Sequence, residues 1–149
     1  LVLISPNELR MPGDIVEELR MGGHTVVESD VMEASLSKVD IAYSTRIQEE
    51  RFASKADADL YRGRYRLNQS IYTRYCEPNT VIMHPLPRDS RQEANELDND
   101  LNDNPNLAIF RQADNGVLVR MALFAMILDV VEQVDKSARD VNWYTERRF

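Results

Sequence analysis

An apolar run, Thr80-Val81-Ile82-Met83, passes through His84 straight into Pro85-Leu86-Pro87-Arg88, and no other feature constrains the fold as much. Proline fixes its own φ near about −65°, lacks an N–H to donate, and drives the residue before it toward extended backbone. A strand must therefore end near His84, and the chain leaves it as a stiff, kinked ribbon whose carbonyls face whatever lies beyond the sheet. At the carboxyl edge of a parallel α/β sheet, that position is where ligands bind. Proline is also ordinary loop punctuation, so this segment alone leaves a plain surface loop equally open.

A second segment has the same form. Asp40-Ile41-Ala42-Tyr43 reads as a strand, followed by Ser44-Thr45 and then Arg46, Ile47 and Gln48. Side chains two residues apart in extended backbone point the same way, so Arg46 and Gln48 are positioned to converge on one anion. The Arg46 guanidinium is a planar fork of donors suited to a carboxylate, and the Gln48 amide adds a donor beside it. A dicarboxylate ligand suits that pair. Taken alone, an Arg on a polar loop reads better as an exposed salt bridge, here to Glu49 or Glu50.

The rest of the chain alternates strand and helix signals. Strands are expected near residues 1–4, 25–28, 41–44 and 81–84, with a further short one at Tyr65-Arg66-Leu67. Helices are expected over 12–21, where Pro12 suits a first turn and Gly22-Gly23 a stop, then over 31–36 and 69–75. A final helix is expected over 116–134. Such alternation predicts an α/β domain, a doubly wound parallel sheet with helices on both faces. The sequence contains neither a Gly-x-Gly-x-x-Gly turn nor a Walker-type loop, so nucleotide binding has no motif behind it.

Thr45-Arg46-Ile47-Gln48-Glu49-Glu50-Arg51-Phe52 together with His84-Pro85-Leu86-Pro87-Arg88 resembles the aspartate carbamoyltransferase family. Ser5-Pro6 with Leu9-Arg10-Met11-Pro12 is similar to the start of that family's aspartate-binding domain. Phe110-Arg111-Gln112-Ala113-Asp114-Asn115-Gly116 and Val119-Arg120-Met121-Ala122-Leu123 are similar to its last helices. The related ornithine enzymes carry a Cys-containing version of the proline segment, so Pro85 favours the aspartate branch. The resemblance runs over residues 1–131 and covers only the second domain. The Ser-Thr-Arg-Thr type phosphate loop of the amino-terminal carbamoyl-phosphate domain does not occur in this sequence. The expected organisation is an aspartate-binding domain over 1–134 and a tail over 135–149 whose role the sequence does not give. The opening strand Leu1-Val2-Leu3-Ile4, with no polar lead-in, reads as a cut just before a core element.

The resemblance implies transfer of the carbamoyl group from carbamoyl phosphate to the amine of L-aspartate, a step of pyrimidine biosynthesis. On this chain it implies that Arg46 and Gln48 hold the substrate's side-chain carboxylate. The backbone carbonyls of Pro85 and Leu86 then orient the amine and the carbamoyl NH₂, which makes these two residues the catalytic ones as well. Arg88 is expected to pair with an acid across the domain interface, and Arg120 to anchor the last helix to the ligand loops. His84 is expected to serve packing and hydrogen bonding, because the family's catalytic histidine lies in the absent domain, and His24, after Gly22-Gly23, to lie in a turn or at a strand start. The resemblance implies no cofactor. Its implied partners are the carbamoyl-phosphate domain, two further copies in a homotrimer, since family active sites are shared between subunits, and in some members a regulatory chain. The polar segment 49–66 is implied to be the long loop that moves when both substrates bind. One position departs from the family, Glu49, where many members carry Lys. The competing readings are a non-catalytic homologue serving assembly or regulation, and an unrelated doubly wound binding domain.

Composition narrows the alternatives. A chain of 149 residues with 43% apolar content is one domain able to bury a core. The formal charge of −7 disfavours a nucleic-acid partner. No apolar run approaches the about 18 residues of a membrane span, and no secretory leader pattern opens the chain, so a soluble, cytoplasmic protein is expected. Cys76 is the single cysteine and reads as a packed thiol rather than a catalytic one. Arg62, Arg64, Arg66 and Arg74 form a basic patch that either faces an anionic ligand or pairs with acids such as Asp57 and Asp59. Residues 89–106 hold six acids, Asp89, Glu93, Glu96, Asp98, Asp100 and Asp103, but lack the Gly and terminal Glu of a calcium loop, so no metal site is expected. In the last helix, apolar residues cover nearly the whole circumference from Val117 to Val131. A helix apolar all round must be covered on more than one side, by a central place in the core or by a surface this chain does not contain.

Overall fold

The computed structural model describes residues 1–91 and 94–137. Among these residues, four short strands and six α-helices follow in the order β1 (Val2–Ile4), α1 (Gly13–Met21), β2 (Val27–Ser29), α2 (Met32–Leu36), β3 (Ile41–Tyr43), α3 (Lys55–Asp59), α4 (Gln69–Tyr75), β4 (Val81–Met83), α5 (Ile109–Ile127) and α6 (Val131–Ser137). Every strand pairing is parallel, as the alternation predicts. β1 pairs with β2 in the register Val2 to Val27, and β3 pairs with β4 in the register Ile41 to Val81. A one-residue parallel bridge from Ile82 to Leu107 widens the second sheet.

The architecture is α/β, but among the described residues the strands form two hydrogen-bonded pairs. A cleft of about 490 Å³ separates β1 from β3, lined by Val2 and Ile4 on one side and Ile41 and Tyr43 on the other. Tyr65-Arg66-Leu67 contributes only a single parallel bridge, Leu67 to Leu97. The backbone of Leu67 there donates to the Glu96 carbonyl and accepts from the Asp98 amide.

One core joins these elements. Met32 and Leu36 of α2, Leu67, Tyr72 of α4, Ile82 of β4, Leu97, Leu101 and Ile109 at the start of α5 form its buried cluster. Ile82, Leu101 and Ile109 are fully shielded from solvent. Cys76 packs against this cluster half-buried, and its burial raises the thiol pKa, in keeping with a structural thiol.

Local chemistry sets the helix ends. Asn68 Oδ1 accepts from the Ile71 amide at 2.8 Å and Ser54 Oγ from the Asp57 amide at 3.2 Å, so α4 and α3 begin on side-chain caps. α1 ends as Gly22-Gly23 predicts. The His24 amide donates to the Leu19 carbonyl and the Gly23 amide to the Arg20 carbonyl, with Gly23 at φ 83°. This is a Schellman motif, and its left-handed residue falls on the glycine. His24 is thus a turn residue, as expected.

The final helix departs from expectation at both ends. α5 starts at Ile109, seven residues before Gly116, because the Ala108 amide donates to the Ile82 carbonyl and seats Ile109 against β4. Gly116 lies inside the helix. α5 then stops at Ile127 through a second Schellman motif, Val130 amide to Ala125 carbonyl and Asp129 amide to Met126 carbonyl, with Asp129 at φ 52°. The described residues do not cover the apolar girdle. Val117, Leu118, Val119, Met121, Leu123, Phe124, Met126 and Ile127 are all 52–76% exposed. The tail expected over 135–149 begins inside α6, and from residue 138 onward it lies outside the described residues. No helix of the described residues is long and apolar enough to cross a membrane.

Candidate functional site

Because β3 and β4 are parallel neighbours, the chain leaves both at the same edge. The Ser44 amide donates to the Met83 carbonyl at 2.9 Å, which ties the two exits together. The loop carrying Arg46 and Gln48 and the loop carrying Pro85 and Leu86 therefore start side by side, at the carboxyl edge where α/β sheets bind ligands.

The proline loop is held from beneath by His84. Its backbone amide donates to Gln112 Oε1 at 3.1 Å, and Gln112 Nε2 donates to the Tyr43 hydroxyl at 2.8 Å, so α5 braces the ends of both strands. The ring is 1% exposed. Its Nδ1 accepts from the Leu86 amide at 2.9 Å, and its Nε2 lies 2.6 Å from Oε1 of the equally buried Glu96. Burial pushes the Glu96 pKa up. The His84 ring and the backbone N–H groups of Glu96 and Asp89 outweigh it and hold the carboxyl below its usual range. His84 thus has the packing and hydrogen-bonding role expected of it.

Leu86 has φ 54°, and the Leu86–Pro87 peptide is cis. A non-glycine residue in the left-handed region costs about 1–2 kcal/mol, and the bond from the Leu86 amide to His84 helps hold it there. The Pro85 and Leu86 carbonyls accept no hydrogen bond from any described residue. Two acceptors consequently stand free at the sheet edge.

On the neighbouring loop, Arg46 grips Glu50 end-on, Nη1 to Oε2 at 3.0 Å and Nη2 to Oε1 at 2.6 Å. The hydrogen bonds with Arg46 pull the Glu50 carboxyl down to about 2. The salt bridge that a lone Arg would favour is therefore present, yet it takes only part of the fork. The Nε–H and a second Nη2–H remain available. Gln48 Oε1 accepts from Arg51 Nη1 at 2.9 Å, which leaves the amide nitrogen of Gln48 unpartnered among the described residues.

Several site-proximal contacts have no counterpart in the sequence reading. Glu49 accepts from Arg91, Oε1 from Nη2 at 2.9 Å and Oε2 from Nη1 at 3.3 Å, and lies 3.5 Å from Arg62. Arg91 also grips Asp89, and these bonds bring the Asp89 carboxyl down to about 2. No spacing signal links Glu49 to a residue 42 positions away. The segment 49–66, read as an open loop, contains α3 and buries Ala58.

The basic patch divides among partners. Arg66 grips Asp98 with two bonds of 2.7 Å, Arg62 pairs with Asp59, and Arg64 with Asp30. Arg88 turns inward, donating to the Asp98 carbonyl at 3.3 Å and Asn102 Oδ1 at 3.0 Å, so its partners are within the domain. Arg120 is exposed on α5 and makes no hydrogen bond or ion pair with the ligand loops among the described residues. Its guanidinium lies beside Gly116 instead. The described residues hold no cluster of His, Cys, Asp and Glu able to bind a metal.

Comparison with known proteins decides the family. Residues 1–127 match the Asp/Orn binding domain of aspartate/ornithine carbamoyltransferase. The chain belongs to this family. It is 72% identical over 148 residues to the aspartate carbamoyltransferase catalytic subunit of Cellvibrio japonicus, covering 99% of this chain and 44% of that protein. The corresponding subunit of Saccharophagus degradans is 71% identical over 149 residues, again with 44% of the relative covered. The chain thus spans less than half the length of these relatives. Among solved structures, the catalytic subunit of M. jannaschii aspartate transcarbamoylase superposes with a TM-score of 0.71 at 32% identity, covering 88% of this chain and 40% of that one. Aspartate transcarbamoylase from Trypanosoma cruzi in complex with carbamoyl phosphate and aspartate gives 0.67 at 30% identity, over 83% of this chain and 39% of that one. The carbamoyltransferase family match carries the α/β second-domain fold with it.

Proposed function

We propose that this chain is the aspartate-binding half of an aspartate carbamoyltransferase, built by residues 1–134. It binds L-aspartate and, with a carbamoyl-phosphate domain, transfers the carbamoyl group to the substrate amine. The α-amine attacks the carbonyl carbon of carbamoyl phosphate to form a tetrahedral intermediate, whose C–O bond to phosphate then breaks as the amine proton passes to the departing phosphate, leaving N-carbamoyl-aspartate. Catalysis of this kind is mostly positioning and charge stabilisation. Arg46 presents its unused donors to the side-chain carboxylate and Gln48 adds its free amide. Pro85 and Leu86 offer their free carbonyls to the amine and the carbamoyl NH₂.

The observation that carries this reading is the parallel pairing of β3 with β4, which delivers both donors and both acceptors to one sheet edge. The choice of aspartate over ornithine rests on the aspartate carbamoyltransferase relatives at up to 72% identity. The uncovered apolar face of α5 supports association with a further domain. The working form is a cytoplasmic homotrimer whose sites are completed between subunits, open to a regulatory chain.

The test is carbamoyl transfer to aspartate after mixing this chain with a separately expressed carbamoyl-phosphate domain, with each piece alone and an Arg46→Ala chain as controls. The reading expects activity only in the mixture and its loss in the control. Proven association without activity would move the assignment to a non-catalytic homologue.

A further inference from the structure

Arg91 stands where the two ligand loops meet. Among the described residues, its bonds to Glu49 are the only side-chain hydrogen bonds between the loop that follows β3 and the loop that follows β4. Glu49 lies between Gln48 and Glu50, so a hold on Glu49 is a hold on the backbone that carries the carboxylate-binding donors.

From Arg91 an unbroken polar path leads to the other half of the site. Arg91 donates to both oxygens of Asp89 at 3.0 and 3.1 Å. The Asp89 amide donates to both oxygens of Glu96 at 3.2 and 3.3 Å. Glu96 lies 2.6 Å from His84 Nε2, and His84 Nδ1 accepts from the amide of Leu86. The path thus ends on Leu86, whose carbonyl the proposed function assigns to the substrate.

An isolated exposed ion pair is worth little, and the Arg91 side chain is 54% exposed. Its two carboxylate partners are not so open, Glu49 at 27% and Asp89 at 14%. Both are gripped through two oxygens, the arrangement that adds geometric definition to charge. A single guanidinium shared by two partly buried carboxylates on separate loops is a clasp, and it lies outside the set of groups that touch the substrate.

We propose that Arg91 is a positioning residue that locks the Arg46–Gln48 loop to the Pro85–Leu86 loop through Glu49 and Asp89, and so sets the affinity of the site for the dicarboxylate substrate. The inference rests on the aspartate-binding reading above. Without the clasp the two loops move independently, and substrate binding must supply the order that Arg91 now supplies in advance.

The test uses the chain mixed with its carbamoyl-phosphate domain and compares Arg91→Ala, Glu49→Ala, the double variant and the exchange pair Glu49→Arg with Arg91→Glu. Each single variant should raise KM for aspartate about tenfold, with a smaller change in kcat and an unchanged KM for carbamoyl phosphate. The double variant should be no worse than either single one, and the exchange pair should recover most of the loss. In parallel, ¹⁵N spectra of the chain should show the Leu86 amide shifting in Glu49→Ala, a response a purely local surface pair does not produce. Additive single effects, or an unaltered KM in Arg91→Ala with the parent mixture active, overturn the clasp and leave the functional reading standing. An inactive parent whose Leu86 amide still responds overturns the functional reading and the clasp's role in substrate affinity, and leaves only the polar path. Should Arg91→Ala fail to fold, the exchange pair decides, since recovery of KM there requires the Glu49–Arg91 contact itself.

Discussion

Individual residues at this site are set by the charges around them. Asp89 is held by the Arg91 side chain and by the Arg91 backbone amide, and its pKa falls from an ordinary 3.8 to about 2. A depressed carboxylate stabilises the fold fully above its unfolded value and loses that contribution as pH falls through the folded one. The Asp89 contribution should therefore be intact above pH 4 and disappear between about 3.8 and 2. Following the Asp89 side-chain carbon by NMR through an acid titration should give a midpoint near 2 in the parent and a higher one in Arg91→Ala, still below 3.8 because the backbone amide of residue 91 keeps its bond to Asp89. A parent midpoint near 3.8 would show that Arg91 does not grip Asp89 in solution. His84 shows the other regime. It is buried against a buried carboxylate, and its value lies in satisfying groups that water cannot reach.

At the scale of elements, the two Schellman motifs form a controlled pair. α1 closes on Gly23 at φ 83° and α5 on Asp129 at φ 52°. A Cβ at Gly23 would meet nothing within 4 Å, so Gly23→Ala carries only the left-handed backbone cost, about 1–2 kcal/mol. Asp129→Gly should do the opposite and stabilise modestly, because it removes that cost from the second motif. Thermal melts of the two variants should move in opposite directions from the parent, and a shift of the same sign in both would contradict the shared-motif reading.

These ends also mark what the sequence could show. Gly22-Gly23 announced its stop, whereas Asp129 did not, because aspartate populates the left-handed region without being specific to it. The start of α5 was hidden for another reason, since it depends on the Ala108 amide reaching the Ile82 carbonyl, a contact between distant segments. The strand ends at Tyr43 and Met83 were legible because the Ser-Thr step and the prolines act locally. Arg46, Gln48, Pro85 and Leu86 became candidates through the carbamoyltransferase resemblance, and the fold brings their loops to one sheet edge. Arg91, Glu96 and Gln112 were not legible, because no local spacing signal marks their contacts with Glu49, the His84 ring and the His84 amide. Arg88, expected to pair across the domain interface, already has Asp98 and Asn102 as partners within this chain.

The whole molecule presents half of a binding site beside a large bare apolar face. In the proposed function, Arg46 and Gln48 supply donors and Pro85 and Leu86 supply acceptors, all from one side of the substrate. Aspartate also carries an α-carboxylate, and among the described residues Arg51, Arg62, Arg66, Arg88 and Arg91 are already engaged within the chain. Desolvating one carboxylate against a fork already shared with Glu50 yields a weak complex. The chain alone should bind aspartate in the millimolar range, about −4 kcal/mol, and the binding should tighten on addition of the carbamoyl-phosphate domain. The same addition should cover the α5 face. Exposed apolar surface of that extent marks an interaction site, so an environment-sensitive apolar dye should bind the chain alone and be released as the second domain docks. Titrating aspartate against ¹⁵N-labelled chain, with and without the partner domain, checks both halves of the argument. Submicromolar affinity in the isolated chain would mean that the site is complete without a partner, and dye retained after docking would mean that α5 faces something else.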